Sequence, residues 1–149
     1  MAFTQKHPIP ILKPMNLPQD FEVDIGRLSG CFKHTSATYK FYWLLALLSE
    51  VEQGKERIEK KALFAHMVSQ AWYTVNYFKV SFGANDHLQQ AIEELKELES
   101  LPVDASPDAV HCVLMQSTKA ETQRALRHFD INVPHKFLSP WVGSGSKKE

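Results

Sequence analysis

The chain has 149 residues, of which 44% are hydrophobic and 23% charged, a globular balance that argues against disorder and fits one domain. Lysine plus arginine and aspartate plus glutamate number 17 each, so the net charge is zero, without the basic excess of a dedicated nucleic-acid binder. Any contact with phosphate must therefore come from a local patch.

Residues 1–20 hold Pro8, Pro10, Pro14 and Pro18. Proline lacks a backbone donor and fixes φ, so this segment reads as an extended arm, with Ile9, Ile11, Leu12, Met15 and Leu17 to anchor it. The arm also lacks the long apolar run of a secretory signal, so Cys31 and Cys112 are expected to be reduced packing residues of a cytoplasmic protein. Between residues 21 and 35, Phe21, Val23, Ile25 and Leu28 alternate partly like a strand, but Gly26 and Gly30 interrupt it. A short helix from Ile25 to Phe32 is the alternative.

Ser36 to Gly54 (SATYKFYWLLALLSEVEQG) is the most apolar stretch. Ser36 can cap a helix and Gly54 suits the left-handed residue beyond its end. With almost no polar face, this segment is expected to be the central, buried helix of a bundle. Its run from Phe41 to Leu48 is too short to cross a bilayer, which takes roughly 20 apolar residues, so no membrane association is expected.

A charged connection with one apolar residue, Ile58, leads to a second helix from about Lys60 to Val75. Leu63, Met67, Val68, Ala71, Trp72 and Val75 fall there at spacings that share one face. Asn76 to Ala84 reads as a turn or short extended piece. A third helix, Asp86 to Glu99, carries Leu88, Ile92, Leu95 and Leu98 on one side, while the carboxylates at 93, 94, 97 and 99 read as a solvated face. Ser106 followed by Pro107 opens a fourth helix to about Gln116, since proline is favoured just inside a serine cap. Thr118 to Glu121 fits a capping box ahead of a last helix from Lys119 to about Phe129. Pro134 is expected to end regular structure, with His135 to Trp141 packed as an apolar tail-piece. The expected organisation is an arm at 1–20, a helical domain at 21–141 and a polar tail at 142–149. The fold class is all-α: a compact bundle of about five to six helices around a buried central helix.

The seven histidines include no pair four apart and the chain has no C-x-x-C, so the spacing points away from metal and toward structural or solvated rings. His128, Asn132 and His135 lie too close together to form a His-Asn-His nuclease site, which needs two strands and a helix around its ion. Nucleophile-elbow and phosphate-loop motifs are missing too. Lys55, Arg57, Lys60 and Lys61 are offset by Glu56 and Glu59, which leaves Arg124 and Arg127, with Lys40 and Lys79, as candidate nucleic-acid contacts. Trp72, Tyr73 and Tyr77 lie in an aromatic-rich stretch and are candidate interaction residues, though such groups are more often packing.

Three stretches resemble the N-terminal region of bacterial HNH endonuclease-like proteins: LSGCFKHTSATYKFYWLLALL (28–48), AWYTVNYFKVSFG (71–83) and VPHKFLSPW (133–141). In that group the nuclease motif lies downstream of the block ending in S-P-W, and it has no counterpart here. The resemblance implies a non-catalytic helical accessory domain of a restriction or phage-defence nuclease system, contacting DNA or positioning a nuclease domain or subunit. It implies no catalytic residue and no cofactor in this chain, with a divalent metal expected only in a full-length relative. The alternative expectation is a protein-interaction or dimerisation module, such as a homodimer, with no nucleic-acid role.

Overall fold

The computed structural model describes residues 22, 24–33, 38–131 and 133–142. The expected proline-rich arm, the Ser36 cap and the polar tail beyond Val142 lie outside these residues. The described residues form seven α-helices: α1 (Ile25–Gly30), α2 (Tyr39–Glu52), α3 (Lys60–Asn76), α4 (His87–Glu99), α5 (Pro107–Gln116), α6 (Ala120–His128) and α7 (Val133–Val142). A 3₁₀ turn, Phe129–Ile131, joins α6 to α7, and the all-α class holds, with no strand among the described residues.

The helix at the centre is α3, not α2. It packs against α2, α4, α5 and α6, and its buried residues go right round its circumference. Ala62, Ala65, Ser69 and Ala71 are all buried between these neighbours, because small side chains let helix axes approach closely. Phe64, Met67 and Trp72 fill the remaining space, and Trp72 Nε1 donates to Pro102 O at 3.1 Å. In α2 the buried residues are Lys40, Trp43, Ala46 and Glu50. This inverts the expected roles. The second helix is wrapped by the others, and the most apolar segment lies on the outside with one face on α3.

The helix ends follow local chemistry. Asp86 caps α4 by accepting from Leu88 N (2.9 Å) and Gln89 N (3.2 Å), and its second oxygen accepts from the Thr38 hydroxyl (2.9 Å), tying the start of α2 to the start of α4. Ser106 caps α5 with Pro107 just inside, as expected. Gly54 takes a positive φ of 75° after α2. The capping box at Thr118 does not form. Lys119 is the N-cap of α6 and has no side-chain cap bond.

Pro134 does not end regular structure; it sits in the first turn of α7, where its missing N–H would have had no helical partner. Pro140 lies within the last turn of α7. The Lys136 carbonyl, four residues back, instead accepts from the Ser139 hydroxyl at 3.0 Å. α7 packs on α1 and α2 and buries Val133 and Phe137. Of the cysteines, Cys31 is buried and Cys112 is exposed, so the packing role holds for the first alone.

Candidate functional site

Three ionisable side chains from three helices meet at one end of the bundle. Glu50 comes from the last turn of α2, His66 from α3 and His111 from α5. Glu50 is 1% exposed. Its Oε1 lies 2.7 Å from His66 Nε2, and Lys55 Nζ donates to its Oε2 at 2.7 Å. Burial by itself would raise the Glu50 carboxyl, but hydrogen bonds and charge from Lys55 and His66 outweigh it and hold it below the ordinary carboxylate range. An ionised carboxylate can only accept, so the His66 Nε2–H is the donor.

The His66 and His111 rings stack with centroids 3.9 Å apart and planes 23° apart. Burial, and next to it the His66 ring, lowers the pKa of His111 and keeps its imidazole neutral. Its Nε2 is buried without a hydrogen-bond partner among the described residues, and so is Gln70 Oε1. The two rings and Gln70 line a cleft of about 320 Å³ with Ser49 and Asp108. Chemically this is a neutral imidazole, a charged carboxylate and a second imidazole beside a polar cleft.

The basic candidates scatter. Arg124 and Arg127 are exposed on α6 and make no ion pair among the described residues. Near them His128 meets His87 edge-on at 5.4 Å, and Lys136 shares a small cavity with both rings. Lys79 is exposed in a left-handed turn after α3 (φ 55°). Lys40 does not belong with these. It is buried, and its ammonium donates to the Cys31 carbonyl at 2.6 Å, so it closes α1 rather than reaching for phosphate. Three of the four basic residues at 55–61 are engaged too: Lys55 with Glu50, Lys60 with Asp130 (2.8 Å), and Lys61 with the Met115 carbonyl (2.7 Å).

The aromatic candidates divide in the same way. Trp72 has no exposed surface and is a core residue, so it cannot serve as an interaction surface. Tyr73 and Tyr77 stack at 4.5 Å, with Phe78 edge-on to both, and Tyr77 and Phe78 are largely exposed. Another apolar surface lies on α2, where Phe41, Leu45, Leu48 and Val51 are each about half exposed, at 51%, 47%, 47% and 57%. Rings continue it. Phe41 stacks on Phe32 at 5.2 Å, Phe32 meets Phe137 at 5.9 Å, and Phe137 meets the part-exposed Trp141 at 6.3 Å.

Sequence spacing could not find the Glu50–His66–His111 group, since its members lie 16 and 45 residues apart on separate helices. The one local signal is that Glu50 and His66 each interrupt an apolar helix. His128 and His135 stay apart from this group; His128 pairs with His87, and His135 is exposed on α7. No protein-family model matches the chain, and neither a curated protein nor a solved structure matches it.

Proposed function

We propose that this domain is an interaction module that self-associates through the exposed apolar face of α2. The observation that carries the reading is the stripe Phe41, Leu45 and Leu48, spaced four and three residues apart on one side of a helix and each about half exposed. Apolar side chains gathered on one face, rather than scattered singly, are the kind of surface that marks an interaction site. A second copy is the occupant that the charge pattern favours. A twofold interface places the same residues opposite one another, so like charges would repel. From Phe41 to Val51 the exposed positions of α2 carry no charge: the one charged residue in that range, Glu50, is buried. Sedimentation velocity over a rising protein concentration tests this. The wild-type chain should shift from monomer to dimer, and Leu45→Glu with Leu48→Glu should hold it monomeric and folded. A wild-type chain that stays monomeric throughout would sink the reading.

A second reading is the nucleic-acid-associated accessory domain implied by the resemblance to HNH endonuclease-like proteins. Arg124 and Arg127 support it, being exposed guanidinium groups on one helix without an ion-pair partner among the described residues. Binding through them would weaken steeply with salt, because phosphate contacts release counterions. Fluorescence anisotropy with duplex DNA at low and moderate salt should show such a loss, and Arg124→Glu with Arg127→Glu should abolish the low-salt binding. Equal binding by the double variant would remove those two contacts.

A further inference from the structure

Glu50, His66 and His111 each offer one ligand atom, and these atoms all lie within 4.8 Å of one another. Two imidazoles and one carboxylate are the donor set of an open three-ligand zinc site. We propose that this group binds one divalent transition-metal ion of the zinc type, joining α2, α3 and α5. The site lies on the buried side of α2, so it is independent of the proposed docking face.

Two further features point to a ligand. His111 Nε2 is buried and accepts no hydrogen bond from the described residues, an arrangement that is costly without a partner. Gln70 Oε1, another acceptor without a partner, lines the same cleft and suits a proton of metal-held water. Imidazole donors favour zinc-like ions over magnesium or calcium, which take oxygen ligands.

Binding needs the two imidazoles to turn out of their stack. Zinc holds nitrogen and oxygen at about 2.0–2.2 Å, which sets donor atoms about 3.3 Å apart in a tetrahedron. The 2.7 Å contact between Glu50 and His66 would open slightly, and the stacked rings would fan so that their lone pairs converge. The metal takes the place of the proton on His66 Nε2, which moves to Nδ1 of the same ring. Lys55 is 46% exposed in its side chain and can swing to solvent as the ion takes over its role in balancing Glu50. Three protein ligands leave one position open beside the cleft.

The test uses the whole chain, stripped with a chelator, and zinc in competition with a chromophoric indicator. One equivalent should bind. Cobalt(II) in its place should give the visible absorption of a four-coordinate ion with nitrogen and oxygen ligands. His111→Phe keeps a flat ring on His66 and removes both nitrogens. It should weaken zinc by at least about 10–100-fold, the loss that removing even an outer partner of a metal site causes. Its metal-free circular dichroism and melting curve should match the wild type. Should that variant not fold, Glu50→Gln, of nearly the same shape, is read in the same way. The rival location is the His87–His128 pair, and His128→Ala should leave the affinity unchanged. No bound equivalent, equal affinity in His111→Phe, or loss in His128→Ala instead would each overturn the proposal.

Discussion

α2 and α3 pack side by side, and their sequences and their positions are at odds. α2 is the more apolar, yet only four of its 14 residues are buried, against 11 of 17 in α3. Two of the four in α2 are Lys40 and Glu50. The difference lies in side-chain size. Alanine and serine line several sides of α3, so several neighbours can close on it together. α2 carries bulky residues nearly all round and offers a close approach only at Ala46 and Ser49. High apolarity thus identifies a helix with surface to cover. Small residues distributed around a helix identify the place where others meet.

The largest effect that tests this comparison is a deletion at the centre of α3. Trp72→Ala should cost about 3–5 kcal/mol, because it leaves a cavity between the helices that pack on α3. It also leaves the Pro102 carbonyl without its indole donor. Urea unfolding followed by circular dichroism measures it. A cost under about 1 kcal/mol would mean that α3 is not the centre. Trp43, which is buried where α2 meets Phe64 of α3, should cost about as much as an alanine. Leu47 is only partly buried, so its truncation should fall near or below the low end of the 2–5 kcal/mol seen for a buried leucine.

An effect of middle size comes from the acidic run on α4, where the same contrast between pattern and position recurs. Glu93, Glu94 and Glu97 are solvated, as their spacing indicates, but Glu99 is not. It accepts from the Ser117 hydroxyl at 2.6 Å and from Thr122, and it pairs with Lys119 at 3.2 Å, joining the end of α4 to the start of α6. Burial works to raise its carboxyl, but these hydrogen bonds and the Lys119 charge outweigh it, so its pKa is lowered on folding. A carboxyl of lowered pKa contributes stability above its unfolded value, near 4.5, and that contribution is lost as pH falls through the lower, folded value. Glu99→Gln should therefore cost about 1–3 kcal/mol at neutral pH. The gap to wild type should narrow under acid conditions, while Glu97→Gln, at an exposed residue paired only with Lys96, should change stability at neutral pH by no more than about 0.5 kcal/mol. Parallel stability–pH curves for wild type and Glu99→Gln would remove the clamp.

Much of the fold was legible in the residues. The α3, α4, α5 and α6 segments follow from their apolar spacing, and the Ser106 cap from local chemistry. Where the reading failed, a contact with a distant residue decided the outcome. Thr118 loses its capping role because α6 starts one residue later, with Ser117 and Thr122 turned to Glu99. Pro134 reads as a stop only when its place in a turn is unknown, since the same residue is well tolerated at a helix start. Lys40 reads as a free cation until the Cys31 carbonyl is placed beside it. His66 and His111 read as two unrelated rings because the packing of α3 on α5, not any spacing, brings them together.

The smallest expected effect is the most searching test of the α2–α3 contrast. If α2 were the buried centre, Leu45→Ser and Leu48→Ser would each rank among the most damaging changes in the protein. In the observed fold both side chains are about half exposed, at 47%. At protein concentrations low enough to keep the chain monomeric, each should therefore change stability by no more than about 0.5 kcal/mol, as surface substitutions do. At higher concentration the variants should fall behind. Self-association stabilises only the folded wild type and raises its apparent stability with concentration, and the serine variants would lose that gain. Denaturation curves at two concentrations separate the cases. A large cost at the lower concentration would show that the stripe is covered within a single chain, while equal behaviour at both would leave α2 exposed without a second copy to cover it.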